Sequence, residues 1–229
     1  MLNRKITLDE VDSTNNYLKL NRGELPDGTL VTARIQTAGK GRRGHEWLAD
    51  QGMLPLSLLL KQPPHPDTLT LCAGVAVCEA LEPLLPGEEL GIKWPNDIIL
   101  HGHKLCGILC ESVCFGSSMD IVCGIGVNLA QTAEFFEKAN IPHGGSVEML
   151  TGVTINDRDK LAEDIAERLY SYSRSGFESV REKYVKRCLT VGKKIRIIEN
   201  GSEREAFAEG IAPNGFLICS DENGRFEVN

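Results

Sequence analysis

Gln36-Thr37-Ala38-Gly39-Lys40-Gly41-Arg42-Arg43-Gly44-His45-Glu46-Trp47 sets three cations and three glycines in the six residues 39–44, ahead of a tryptophan. With almost no apolar side chain, the stretch cannot fold itself, and its glycines make one fixed shape entropically expensive. Gly39-x-Gly41-x-x-Gly44 formally spells the dinucleotide fingerprint, which opens a helix after a strand and needs an acid about 20 residues on. The context fails: residues 47–52 read as loop, and Pro63, Pro64 and Pro66 break the chain where the acid and its strand would stand. No Gly-Lys-Ser/Thr pair closes a P-loop, and the catalytic His-Arg-Asp set of a kinase is missing. Two readings stay open for the loop. Its N–H groups and the cations Lys40, Arg42 and Arg43 cradle phosphate, or it is a basic, solvated turn.

Outward from the loop the chain alternates strands and helices. Ile6–Val11 reads as a strand, and Asp12-Ser13-Thr14 offers side-chain oxygens at the start of a helix through Leu18. Such a helix start is a plain cap or a site for a polar ligand group. Thr29–Ile35 and Leu54–Leu60 read as buried strands. Asp67 or Thr68 starts a helix with Leu69, Ala73, Ala76, Ala80, Leu81 and Leu84 at helical spacing, stopped by Pro86-Gly87. Gly91–Asp97 reads as a strand entering Lys93-Trp94-Pro95-Asn96-Asp97, where Pro95 implies an edge or a bend. His101-Gly102-His103 is a tight turn, pairing 100 with 103, 99 with 104 and 98 with 105. Asp97 and Lys104 then meet across the ladder, as an exposed ion pair or as part of a site.

Asp120–Asn128 is a strand whose Gly124 and Gly126 clear side chains from one face, with Asn128 at the rim. Residues 131–145 read as a connection, and 146–150, 159–172 and 177–188 as helices. After Cys188 four short β-rich pieces are separated by Asn200-Gly201, Pro213-Asn214-Gly215 and Asn223-Gly224, as in a small antiparallel barrel. The division expected is 1–188 and 189–229, the second part too small to be stable unaided.

A net charge of −7 argues against general nucleic-acid or membrane-surface binding, so any basic function is local. The N-terminus has no apolar signal region, and the eight scattered cysteines include no Cys-x-x-Cys. A reduced, cytoplasmic protein is expected. Cys106, Cys110 and Cys114 fall on one face of a strand and read as small buried apolar residues rather than zinc ligands.

Five segments taken in order resemble the biotin–protein ligases: Asp12-Ser13-Thr14-Asn15; Gln36 to Gly44 with Trp47; Lys93-Trp94-Pro95-Asn96-Asp97; Lys104 through Glu111; and Gly124-Ile125-Gly126-Val127-Asn128. The tail is similar to the family's SH3-like barrel. The resemblance implies an α+β fold: a mixed, largely antiparallel sheet with flanking helices, plus that barrel. It also implies a two-step reaction, in which biotin and MgATP give biotinyl-5′-AMP and a lysine of a biotin carboxyl carrier domain then takes the biotinyl group. By resemblance, Ser13, Thr14, Asn15 and Gln36 hold the ureido end of biotin. Gly39, Lys40, Gly41 and Arg42 close over the acyl-phosphate region, and Lys104 contacts the reacting carboxyl. Arg43, Trp47, Lys93, Asn96 and Asn128 lie on the nucleotide side. Lys104, Arg42 and Asp97 carry the chemistry, with Asp97 a candidate for Mg²⁺ or for the attacking lysine's proton. A carboxylate attacking an α-phosphate brings two anions together, so cations aimed at both are required.

Two positions depart from the family's Gly-Arg-Gly-Arg-x-Gly-Arg loop: Lys40 and His45 stand where it has arginines. Lysine keeps the charge and loses the bidentate fork. The first segment begins eleven residues in, so the expectation is the form without an N-terminal DNA-binding domain. A homodimer is among the assemblies the sequence allows. The rival readings are a lipoate or octanoyl ligase or transferase of the same superfamily, and a non-catalytic biotin sensor.

Overall fold

The computed structural model describes residues 2–44, 46–48, 50–116, 118–199 and 202–229. His45 and the Asn200-Gly201 turn lie outside the described residues. The elements run β1 (Arg4–Val11), α1 (Thr14–Asn21), β2 (Thr29–Gln36), β3 (Met53–Leu60), α2 (Leu69–Leu81), β4 (Gly91–Lys93), β5 (Asp97–Leu100), β6 (His103–Phe115) and β7 (Ser118–Asn128). They continue with α3 (Ala133–Lys138), α4 (Val147–Thr151), α5 (Arg158–Ser175), α6 (Arg181–Arg187), β8 (Lys194–Glu199), β9 (Ser202–Ile211), β10 (Leu217–Asp221) and β11 (Gly224–Val228).

The first seven strands form one sheet in the order β1-β2-β3-β7-β6-β5-β4. Only the β1–β2 pair is parallel. Every residue of β3 is buried because both faces of the strand are covered. On one face Leu59 joins Leu18 of α1, Val31 and Val122. On the other, Leu58 and Leu60 join the main core with α2 and α5. Helix α2 is apolar on nearly all sides, since it lies between the sheet, α5 and α6. Helix α1 packs on β2, β3 and β7, and Gly107, Gly124 and Gly126 of β6 and β7 stay partly accessible beside it.

The remaining strands make an antiparallel sheet, β11-β10-β9-β8. It is an open four-stranded sheet where a barrel was expected, and its inner residues Ala206, Ala208, Ile211, Leu217 and Cys219 belong to the same core as α2 and α5. Trp94 ties the two sheets together: its Nε1 donates to Gly215 O at 3.1 Å and its backbone N to Thr190 Oγ1 at 3.0 Å.

Several local expectations are corrected. The stretch 91–97 is two strands, β4 and β5, that pair antiparallel around Trp94–Asn96, with Lys93 opposite Asp97. Pro95 is therefore at a bend, and β4 is also the edge strand. The β5–β6 hairpin keeps the pairs 100–103 and 99–104, but a bulge moves Ile98 onto Cys106 instead of Leu105. The extra residue lets the neighbours Leu105 and Cys106 both be buried while Lys104 stays accessible. Helix α2 ends at Leu81 and passes through a 3₁₀ turn, Glu82–Leu84, before Pro86 is reached. The helix expected over 177–188 is a 3₁₀ turn, Phe177–Ser179, and then α6, because Val180 leaves helical geometry and Phe177 packs edge-on against Tyr184 at 5.7 Å. Residues 131–145 contain α3, capped by Thr132 Oγ1 accepting from Phe135 N at 3.2 Å. Cys106 is buried, but Cys110 is half-buried and Cys114 exposed, so only the first is the fully buried apolar residue expected. Among the described residues, no helix is long and apolar enough to cross a membrane.

Candidate active site

The partly accessible strip of the sheet is floored by glycines. A Cβ on Gly107 would lie 2.7 Å from Trp47 Cζ3, one on Gly126 2.6 Å from Trp47 Nε1, and one on Gly124 2.3 Å from Asn15 Oδ1. Strands β6 and β7 thus omit side chains where the Trp47 indole and the Asn15 amide press on the backbone. Trp47 arrives from the glycine-rich loop, which is pinned by Trp47 N donating to Gly39 O at 3.0 Å.

The closed end of the strip is built on the start of α1. Ser13 is its N-cap, and Ser13, Thr14 and Asn15 are all buried. Gln36, at the end of β2, accepts from Thr14 N at 3.0 Å and from Thr14 Oγ1 at 3.2 Å. Asn15 Nδ2 donates to Glu111 Oε2 at 2.8 Å and to Leu109 O at 3.3 Å, and its Oδ1 accepts from Ser57 Oγ at 2.5 Å. Lys19 Nζ holds the other oxygen of Glu111 at 2.8 Å. Ser13, Thr14, Asn15, Gln36 and Leu109 line a narrow cavity of about 60 Å³ together with Lys40, Gly41, Arg42, Trp47, Asn96 and Lys104, while Ser57, Lys19 and Glu111 stand behind that wall.

The cavity leads into a groove of about 840 Å³, with Gly41, Arg42, Trp47, Asn96 and Lys104 common to both walls. Arg43, Lys93, Asp97 and Asn128 line only the groove of the two. Lys104 stands at the junction. Its Nζ is 2.8 Å from Asp97 Oδ1 and 5.0 Å from the centre of the Trp47 ring. Its backbone is clamped: N donates to His143 O at 2.6 Å, and O accepts from Gly145 N at 3.1 Å and from Asn128 Nδ2 at 3.3 Å. Arg42 Nη1 donates to Asn96 Oδ1 at 3.0 Å, and Lys40 Nζ reaches Asn16 Oδ1 at 3.4 Å. Asn128 is engaged on both sides, its Oδ1 accepting from Gln131 Nε2 at 2.9 Å.

Most residues singled out in the sequence therefore converge. Two do so less directly. Gly39 is buried beneath the Trp47 backbone, where a Cβ would lie 2.4 Å from Trp47 O, and lines neither the cavity nor the groove. Arg43 is exposed in the left-handed region, φ 56°. Sequence reasoning missed Ser57, Lys19, Gln131 and the role of Glu111. Ser57 carried a signal, since it is the one hydroxyl in an otherwise apolar strand, whereas nothing local marks Lys19, whose partner is 92 residues away.

The site is a polar, closed pocket leading past a lysine to a cation-rimmed groove, and it combines an end that reads hydrogen bonds with one that takes negative charge. The family described as biotin/lipoate A/B protein ligase matches residues 8–128. A biotin–[acetyl-CoA-carboxylase] ligase of Paracoccus denitrificans is 36% identical, over 95% of this chain and 95% of its own length. One of Mycobacterium tuberculosis is 33% identical over 88% of this chain and 76% of its own. A solved structure, biotin protein ligase from Aquifex aeolicus in complex with biotin and ATP, superposes with a TM-score of 0.82 at 28% identity, covering 99% of this chain and 96% of that one. With the glycine floor, the basic loop and the lysine junction arranged as above, the chain belongs to the biotin/lipoate A/B protein ligase family.

Proposed function

We propose that this protein is an ATP-dependent biotin–protein ligase that activates biotin as biotinyl-5′-AMP and passes it to a lysine of a biotin carboxyl carrier domain. The observation carrying this reading is the narrow end of the cavity, where Ser13, Thr14, Asn15 and Gln36 line one wall. A cyclic urea has one acceptor and two N–H donors to answer them. The dithiolane of lipoate has neither, and would leave buried polar groups unpaired, at a cost of about 1–3 kcal/mol each.

In this reading the urea sits at the start of α1 and the acid chain runs towards Lys104. Lys104 exchanges Asp97 for the substrate carboxylate and holds it against the α-phosphate, while Arg42, Lys40 and Lys93 offset phosphate charge. Arg43, Trp47, Asn96 and Asn128 face the nucleotide from the groove. Asp97 Oδ1 is buried with the Lys104 ammonium 2.8 Å away as its ion-pair partner, so once Lys104 leaves it is suited to a cation or a proton. In this reading Mg²⁺ would be held by Asp97 and the nucleotide's own phosphates. Bound there, Mg²⁺ would neutralise phosphate oxygens.

The cavity is far smaller than the roughly 300 Å³ of an ordinary ligand pocket. Loop 39–48 must therefore lift to admit biotin and then re-cover it, keeping water from a reactive mixed anhydride. In this reading residues 189–229 are the second unit, and its Ile195, Ile197 and Leu217 help wall the groove. The free cysteines suit the cytoplasm, and β1, at one edge of the main sheet, is where a homodimer would pair.

The test is biotin-dependent ATP–pyrophosphate exchange with lipoate as the competing acid, then transfer to a carrier domain. Exchange with biotin and none with lipoate is expected. Exchange with lipoate alone, or biotin binding with no exchange, would remove the reading.

A further inference from the structure

We infer that Glu111, braced by Lys19, is a positioning residue that fixes the direction of the hydrogen bonds at the closed end of the cavity, so that Thr14 meets the ligand as an acceptor. The inference rests on the biotin reading and adds residues that do not touch the ligand.

The argument is a count of protons. Asn15 Nδ2 has two hydrogens, taken by Glu111 Oε2 at 2.8 Å and Leu109 O at 3.3 Å. Its Oδ1 is thereby turned to Ser57 Oγ at 2.5 Å. Ser57 has a single hydroxyl proton, and it must go to Asn15. Ser57 Oγ then faces Thr14 Oγ1, 2.7 Å away, as an acceptor. The single Thr14 proton therefore points inward, at Ser57 Oγ or at Gln36 Oε1 3.2 Å away. What Thr14 presents to the cavity is a lone pair, the complement of a urea N–H.

The direction is held from the Glu111 end. Burial pushes the Glu111 carboxyl up, but hydrogen bonds from Lys19 and Asn15 and the charges of Lys19 and Lys40 outweigh it and hold it below the usual glutamate range. An ionised carboxylate can only accept, so Asn15 cannot reverse its amide. Gly124 adds a steric reason for the fixed pose, its absent Cβ leaving the space that Asn15 fills. Without Glu111 only the longer Leu109 O contact, 3.3 Å, holds the amide; when it turns, Ser57 is released to donate to Thr14, whose own proton is then shared between Gln36 Oε1 and the cavity.

The experiment uses the full chain, with calorimetric biotin binding and steady-state pyrophosphate exchange for Glu111→Ala, Glu111→Gln and Lys19→Met. Loss of the carboxylate should weaken biotin about 10- to 30-fold, the ratio for a buried hydrogen bond left unmade, with kcat and the KM for ATP within about twofold. Glu111→Gln, which turns its NH2 towards Asn15 while its oxygen keeps Lys19, should not restore affinity, and Lys19→Met should cost about threefold. If Glu111→Ala does not fold, Lys19→Met on a lysine side chain 25% exposed carries the same reading. Unchanged biotin affinity in the folded variants, full affinity in Glu111→Gln, or equal losses for biotin and ATP would overturn the inference. A wild-type protein that binds biotin yet shows no exchange would fail the functional reading alone, and one that binds no biotin would fail both.

Discussion

Gly126→Ala is the sharpest test of the glycine floor. The new Cβ would sit 2.6 Å from Trp47 Nε1, 2.9 Å from Cε2 and 3.3 Å from Cδ1, so the indole must move by roughly 1 Å to regain ordinary contact. Gly126 does not occupy the left-handed region, so alanine suits the backbone and removes unfolded-chain entropy worth about 0.4–1 kcal/mol. Overpacking against the ring costs about 1–3 kcal/mol. The indole belongs to a loop, so that cost falls on docking the loop rather than on the sheet. Global stability should therefore stay within about 1 kcal/mol, while the docked loop loses about 1–2 kcal/mol, a factor of roughly 5–30. The readouts are the KM for ATP in pyrophosphate exchange, and Trp47 emission in a Trp94→Phe background. In a Trp47→Ala background the effect of Gly126→Ala should vanish, and Gly210→Ala, with nothing within 4 Å of its Cβ, should be silent. A KM for ATP within twofold of wild type, with unaltered emission, would refute the reasoning.

Other outcomes rest on the same geometry. Lys104→Ala should reduce biotin-dependent exchange by at least about a hundredfold, since it removes the cation between acid and phosphate; equal rates would end that assignment. Arg42→Ala should weaken retention of the acyl-adenylate, seen as free biotinyl-AMP in single-turnover mixtures. In thiol titration of the native protein Cys114 should react first, whereas Cys72 and Cys78, pushed up to about 12 by burial, should stay inert until unfolding. Burial raises the Glu79 carboxyl, but hydrogen bonds from Lys183 and Tyr172 with the charges of Lys183 and Arg168 leave it lowered. Its contribution is present above the unfolded glutamate value and lost as pH falls through the folded one, so Glu79→Gln should destabilise at pH 7 and approach wild type once acid has protonated the folded carboxyl.

Local signals were legible wherever local chemistry wrote them. Ser13 caps α1, Gly124 and Gly126 clear a strip of β7, and Asp97 meets Lys104 across a tight hairpin, all as the residues imply. What the glycines clear the strip for was not legible: Asn15 of α1 fills the space at Gly124, and Trp47, carried by a loop with no periodicity, fills it at Gly107 and Gly126. The bulge at Ile98–Ile99 escaped because its cause is the joint burial of Leu105 and Cys106, a tertiary demand. Helix α3 was missed because six residues are less than two turns, too few to display a repeat. Glu111 was visible as the end of a motif, but its partner Lys19 comes from α1, and only the fold brings the two together.

The clamp on the Lys104 backbone separates two timescales. With its N and O both held to residues 143–145 and its carbonyl also capped by Asn128, the main chain at Lys104 is a fixed pivot. The ammonium can leave Asp97 for a substrate oxygen by side-chain rotation alone, a picosecond-to-nanosecond event, whereas lifting loop 39–48 takes nanoseconds to microseconds or longer. Turnover should accordingly respond to solvent viscosity through the loop and stay indifferent to it through the lysine.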